Sequence, residues 1–165
     1  MKKTLFFLLL LIPAALFAQT GSGAHFIQRD YVSLGKLPVY GTLGDIDVYL
    51  EYVTDLNTNT NTRFINLSCT NAAPPPVNIS LEMPATDIDA AITAVTAMIE
   101  KMKIAPTTER ELVFQSSNGF EIKAYWDGKA WFGSFDDTST PNISVSIKVT
   151  RFPDLIALLQ QAKTK

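Results

Sequence analysis

The chain has 165 residues, with 14 basic and 16 acidic side chains, a formal net charge of −2 and 47% hydrophobic residues. That length suits one globular domain with a real core, and the charge leaves no basic footprint for nucleic acid or anionic membranes. A single cysteine and a single histidine exclude an internal disulfide framework and zinc sites built from thiolates or imidazoles.

The first element in chain order is a targeting segment. Met1-Lys2-Lys3 is a short basic start, residues 5–12 are an unbroken apolar run, Pro13 breaks it, and small residues lead to Ala18. This layout predicts a secretory signal peptide over residues 1–18. The apolar stretch is shorter than the roughly 20 residues that a membrane-crossing helix needs. The "LFAQ" ending resembles signal peptides common in Gram-negative Bacteroidota, which implies export to the periplasm or outside such a cell. Cleavage removes Lys2 and Lys3, so 14 − 2 = 12 basic residues face 16 acidic ones and the mature charge is −4. No cysteine stands near the cut to carry a lipid.

Residues 19–30 are glycine-rich and weakly periodic, and are expected to form a flexible start to a single domain over residues 31–165. From Tyr31 the chain reads as strands. "DIDVYLEYV" and "RFINLSC" flank the polar stretch 54–62, "TDLNTNTNT", expected as a long hairpin tip. Cys69 shares the parity of Ile65 and Leu67 and is expected to be a small buried hydrophobe. Pro74, Pro75 and Pro76 force an extended connection into "VNISLE", a short edge strand.

Thr86-Asp87-Ile88-Asp89 has the form of a capping box opening a helix, and Ile88, Ala91, Ile92, Val95, Ile99 and Met102 recur at helical spacing. Pro106 ends it. Asn118-Gly119 and Asp127-Gly128 then turn the chain between three strands, "ISVSIKV" alternates strictly, and residues 153–163 form a last amphipathic helix. The order predicts an α+β fold: an antiparallel sheet of about four C-terminal strands plus an N-terminal hairpin, with two helices packed on one face. No internal repeat is visible.

With Asp127-Gly128 as a two-residue turn, Trp126 pairs with Lys129, Ala124 with Trp131 and Phe120 with Phe135. That register places both tryptophans on the core face. It leaves Tyr125 and Phe132 as diagonal neighbours on the wet face beside Lys123. These three residues are the candidate binding site.

Chemistry is sparse. His25 lies in the expected flexible start, so imidazole-based nucleophilic catalysis has no support. Phosphate-cradling glycine motifs are absent. Asp45 with Asp47, and Asp136 with Asp137, stand beside turns, where aspartate serves turn geometry. Asn-Xaa-Ser triplets begin at Asn66, Asn78 and Asn142, but carry little weight behind a bacterial-type signal. No catalytic residue, cofactor or metal is expected. The sequence favours a non-catalytic exported domain that binds a protein, peptide or glycan, with an inhibitor or immunity-type protein as a narrower version. A rival is a carboxylate-dependent hydrolase of carbohydrate, which two carboxylates about 5 to 10 Å apart in one pocket would favour. A structural envelope protein is the third reading.

Overall fold

The computed structural model describes residues 26–39, 44–71, 76–140 and 143–165. The expected signal peptide, His25, Pro74, Pro75 and Asn142 lie outside them. The fold is α+β, with two four-stranded antiparallel sheets and two helices. The first sheet runs β1 (Ile27–Leu37), β2 (Ile46–Asp55), β3 (Thr60–Asn71) and β4 (Val77–Pro84) in spatial order. A 3₁₀ turn, Ala85–Asp87, leads into α1 (Ile88–Met102). The second sheet runs β5 (Arg110–Gln115), β6 (Phe120–Trp126), β7 (Trp131–Asp137) and β8 (Ser144–Ile147). A second 3₁₀ turn, Val149–Arg151, leads into α2 (Phe152–Lys163).

Each half is thus a meander, a 3₁₀ turn and a helix. The two junctions have nearly the same backbone: Asp87 has φ −93°, ψ −1° and Arg151 has φ −95°, ψ −1°, each preceding a helix that starts in ordinary α torsions. The residues match in outline too: Thr86 and Thr150 stand in the middle of the two 3₁₀ turns, and buried Ile88, Ala91, Val95 and Met98 of α1 hold the same helix positions as Phe152, Leu155, Leu159 and Ala162 of α2. The sheets are tied edge to edge by a bridge between Val39 and Ile147. They are also joined through the helices, because α1 lies against β5 and α2 against β1.

Alternation sets the faces. Ile46, Val48 and Leu50 of β2, Ile65, Leu67 and Cys69 of β3, and Leu81 and Met83 of β4 all point inward. Phe114, Ile122, Ala124, Phe135, Val145 and Ile147 do the same in the second sheet and join one core with Val95 of α1 and Leu155 and Leu159 of α2. Two glycines let α2 seat close to both sheets. Leu158 stands 2.9 Å from where a Cβ on Gly35 would lie, at a bulge in β1, and the Phe152 ring stands 3.1 Å from that point on Gly133 of β7.

Several expectations shift in detail. β1 begins at Ile27, paired with Asp55, so residues 27–30 are strand rather than flexible lead. The polar tip shrinks to residues 56–59, because β2 and β3 stay paired out to Asp55 and Thr60, and the Asp55 carboxylate accepts the Asn57 backbone N–H at 2.8 Å. Residues 77–84 do form an edge strand, and Cys69 is buried. The capping box does not form: Asp87 makes no cap, and its carboxylate turns to the β5–β6 hairpin instead. There it accepts both the backbone N–H and the hydroxyl of Ser117 at 2.7 Å, while the Asn118 side-chain amide donates to the Glu82 carbonyl at 2.8 Å.

The β6–β7 turn also differs. Asp127 Oδ1 accepts the backbone N–H groups of Lys129 and Ala130, each at 2.8 Å, which widens the turn to four residues. Trp126 therefore faces Trp131, Ala124 faces Gly133 and Phe120 faces Asp137. A slip of two residues preserves parity, so every side chain keeps its expected face although its partner changes. The β5–β6 register, with Phe114 opposite Ile122 and Leu112 opposite Ala124, is as expected.

Candidate functional site

The corrected register places Tyr125 directly opposite Phe132, not diagonal to it. Both are solvent-facing, at 39% and 41% exposure, with Val113 nearby at 45%. Lys123 is engaged beside them: its ammonium pairs with Glu121 at 2.7 Å and with Asp136 at 3.7 Å, which raises its pKa, the hydrogen bond to Glu121 foremost. The three residues share one face, but the lysine is tied to acids on that face and the aromatic pair lies on open sheet. Trp126 and Trp131 are half-buried, with ring centroids 5.7 Å apart.

A more developed arrangement lies on the outward face of the first sheet. Three rows of side chains cross it. Tyr31, Glu51, Phe64 and Pro84 form one; Ser33, Tyr49, Asn66 and Glu82 the next; Asp47, Ser68 and Ser80 the third. These positions are outward because they alternate with the apolar inward set. Tyr31, Tyr49, Asn66, Ser68 and Ser80 line an open groove of about 370 Å³. The two tyrosine rings meet edge to face at 6.0 Å and 77°, a favoured aromatic geometry.

Beside the groove, a carboxylate is buried on the nominally wet face. Glu51 has no exposure, since Tyr31 and Phe64 flank it in its row and Arg29 reaches over it. A charge so placed needs full pairing. Arg29 Nη1 donates to one Glu51 oxygen, and Asn66 Nδ2 donates to the other at 2.9 Å. The same two donors reach Glu82, Arg29 at 3.4 Å and Asn66 at 3.5 Å, and the Ser80 hydroxyl donates to Asn66 Oδ1 at 3.2 Å. Burial, and then the negative charge of Glu51, push Glu82 above the ordinary carboxylate value, with Arg29 opposing them. The Arg29 guanidinium is held above its own usual value, chiefly by its hydrogen bond to Glu51.

Three of the four acids singled out in the sequence, Asp47, Asp136 and Asp137, have structural duties. Asp47 pairs with Lys36 at 3.1 Å. Asp137 accepts the Ser139 backbone N–H at 2.8 Å and hydroxyl at 2.7 Å and is thereby held below the usual carboxylate range, the Ser139 hydroxyl contributing most. Asp136 accepts the Ser134 hydroxyl at 2.7 Å. Among the described residues no group of three or more His, Cys, Asp or Glu side chains could hold a metal ion, and no helix is long and apolar enough to cross a membrane. Asn66, the first of the sequon asparagines, is 5% exposed and acts as a buried hydrogen-bond donor.

Comparison of the chain with protein-family models, with curated proteins and with solved structures returned no match. Sequence reasoning missed Arg29, Tyr31, Tyr49, Glu51, Asn66 and Glu82 as a group. The usable signal was "VYLEYV", in which a glutamate shares its parity with a tyrosine.

Proposed function

We propose that the protein is an exported, non-catalytic binding protein and that its groove on the first sheet takes a glycan. The observation that carries this is the meeting of two tyrosine rings with an amide and two hydroxyls, Asn66, Ser68 and Ser80, around one open groove of about 370 Å³. Sugar rings present C–H faces to aromatic groups and hydroxyls to neutral donors and acceptors, and small-molecule sites begin at about 300 Å³. Export rests on the signal-peptide pattern of residues 1–18. It predicts a mature N-terminus at Gln19 when the protein is made in a Gram-negative host.

Glu51 and Glu82 converge on shared donors, which is the kind of pairing the hydrolase reading called for. Their surroundings argue against it. Both oxygens of Glu51 are engaged, by Arg29 and by Asn66, and the side chain is fully buried. A nucleophile or base must reach its substrate or its water, and Glu51 has no free approach.

The test is isothermal titration of the mature protein against a panel of neutral and charged oligosaccharides, with Tyr31→Ala and Tyr49→Ala alongside. The expected result is binding by the wild type and a loss of about tenfold or more in each variant, as removal of a stacking ring entails. Wild-type binding that both variants retain would move the site elsewhere, with Tyr125→Ala and Phe132→Ala next in line. No binding across the panel sinks the proposal.

A further inference from the structure

The charges around the groove do not balance. Its floor includes Asn66, and the cross-strand neighbours of Asn66 are Tyr49 on one side and Glu82 on the other. Glu82 therefore closes the β4 end of the row that runs through the groove. Among the described residues, three carboxylates, Glu51, Glu82 and Asp47, stand in the three rows that cross the groove, against the cations Arg29 and Lys36 that pair with them. Lys36 is held by Asp47 at 3.1 Å. Arg29 serves two carboxylates at once, and its closer contact goes to Glu51, which leaves Glu82 at 3.4 Å. Among the described residues of these rows, one negative charge remains uncompensated. It sits on Glu82, whose side chain is 33% exposed and so accessible to a ligand, unlike Glu51 at 0%.

We propose that the glycan carries a free amine, an amino-sugar unit whose ammonium seats against Glu82 while its ring lies along Tyr31 and Tyr49. This rests on the glycan reading above and names its substrate class. Charge complementarity selects the occupant. A third cation balances three carboxylates and supplies the hydrogen-bond donors that Glu82 receives only weakly from Arg29 and Asn66. An N-acetylated unit supplies none of the charge, and an anionic unit meets repulsion from Glu82.

The experiment uses the mature full-length protein and two probes of equal length, a glucosamine oligomer and its fully N-acetylated counterpart. Both are titrated by calorimetry at a pH that keeps the amine protonated, on wild type and on Glu82→Gln. The wild type is expected to prefer the free amine by about tenfold or more, and Glu82→Gln to bring the two probes to near equality by weakening only the amine. Raising the pH until the amine is neutral should abolish the preference in the wild type, a readout that stands even if Glu82→Gln fails to fold. Equal affinities in the wild type, or a preference that survives Glu82→Gln, overturn the inference while the glycan reading stands. Failure of both probes and of the wider oligosaccharide panel overturns the two together.

Discussion

Replacement of Arg29 by alanine tests whether the outward face of the first sheet is organised around a buried charge. Loss of one partner of a fully buried pair costs about 3–5 kcal/mol, whereas an exposed pair contributes about 0–1 kcal/mol. Glu51 is at 0% exposure and Arg29 at 46%, so this pair is half of each kind. Truncation also removes the side chain that covers Glu51, which lets water reach the oxygen Arg29 held, while Asn66 keeps the other at 2.9 Å. A cost of about 2 kcal/mol follows, between the two limits. For a chain of this size 1 kcal/mol corresponds to roughly 4 °C in Tm, so Arg29→Ala should melt about 8 °C lower. Thermal denaturation followed by circular dichroism reads this directly, and a double-mutant cycle with Glu51→Gln isolates the pair. The double variant should be no less stable than Arg29→Ala, with a coupling of about 1 kcal/mol or more. A Tm within about 1 °C of wild type for Arg29→Ala, together with additive effects in the cycle, would refute the reasoning.

Gly133→Ala places a methyl 3.0 Å from the Ile147 carbonyl and 3.1 Å from the Phe152 ring. Overpacking of this kind costs about 1–3 kcal/mol, read as a lowered Tm. Asp87→Asn should cost about 1 kcal/mol at pH 7, a charge-assisted bond discounted for partial exposure. The Ser117 backbone N–H, then the Ser117 and Thr86 hydroxyls, hold Asp87 below its ordinary value against the effect of burial. A lowered carboxylate contributes stability that is present above the unfolded value of about 3.9 and is lost as the pH falls through the folded value. Denaturant titrations should therefore find the gap between Asp87→Asn and wild type closing below about pH 4. Cys69 is buried, and burial pushes its thiol pKa up. A thiol reagent should leave it unmodified in the native protein and label it at once in denaturant; rapid native labelling would contradict its placement in the core.

The parts of the fold that were legible in the sequence are those set by neighbours along the chain. Alternation in residues 112–126 fixed which side chains face the core, and that assignment survived a two-residue error in the β6–β7 register because parity is what burial reads. The difference has a physical source: Asp-Gly suits a tight two-residue turn, whereas the Asp127 carboxylate accepts two backbone N–H groups and holds a wider one. Asp87 misled in the same way, since a capping-box pattern is a local offer and a distant donor, Ser117, accepted it. The groove was invisible for a different reason. Arg29 falls in the segment expected to be flexible, Tyr31, Glu51, Asn66 and Glu82 carry no local mark of a site, and only the registers of three successive strand pairs bring the five together. The architectural repeat was hard to read because the two junctions share backbone torsions and the spacing of buried helix residues but only one residue type, the threonine at 86 and 150.

The interlock between the halves has a consequence for how the polypeptide can be divided. Each meander is assembled from sequence neighbours and is a quick, local construction. Closure is not local: α1 covers β5, α2 covers β1, and Ser117 and Asn118 dock at the end of β4 and the turn that follows it. A chain severed between α1 and β5 should yield two pieces that remain poorly ordered apart and reconstitute when mixed. The same connection, residues 103–109, could open and let two intact molecules exchange halves, giving a reciprocal dimer with every native contact preserved.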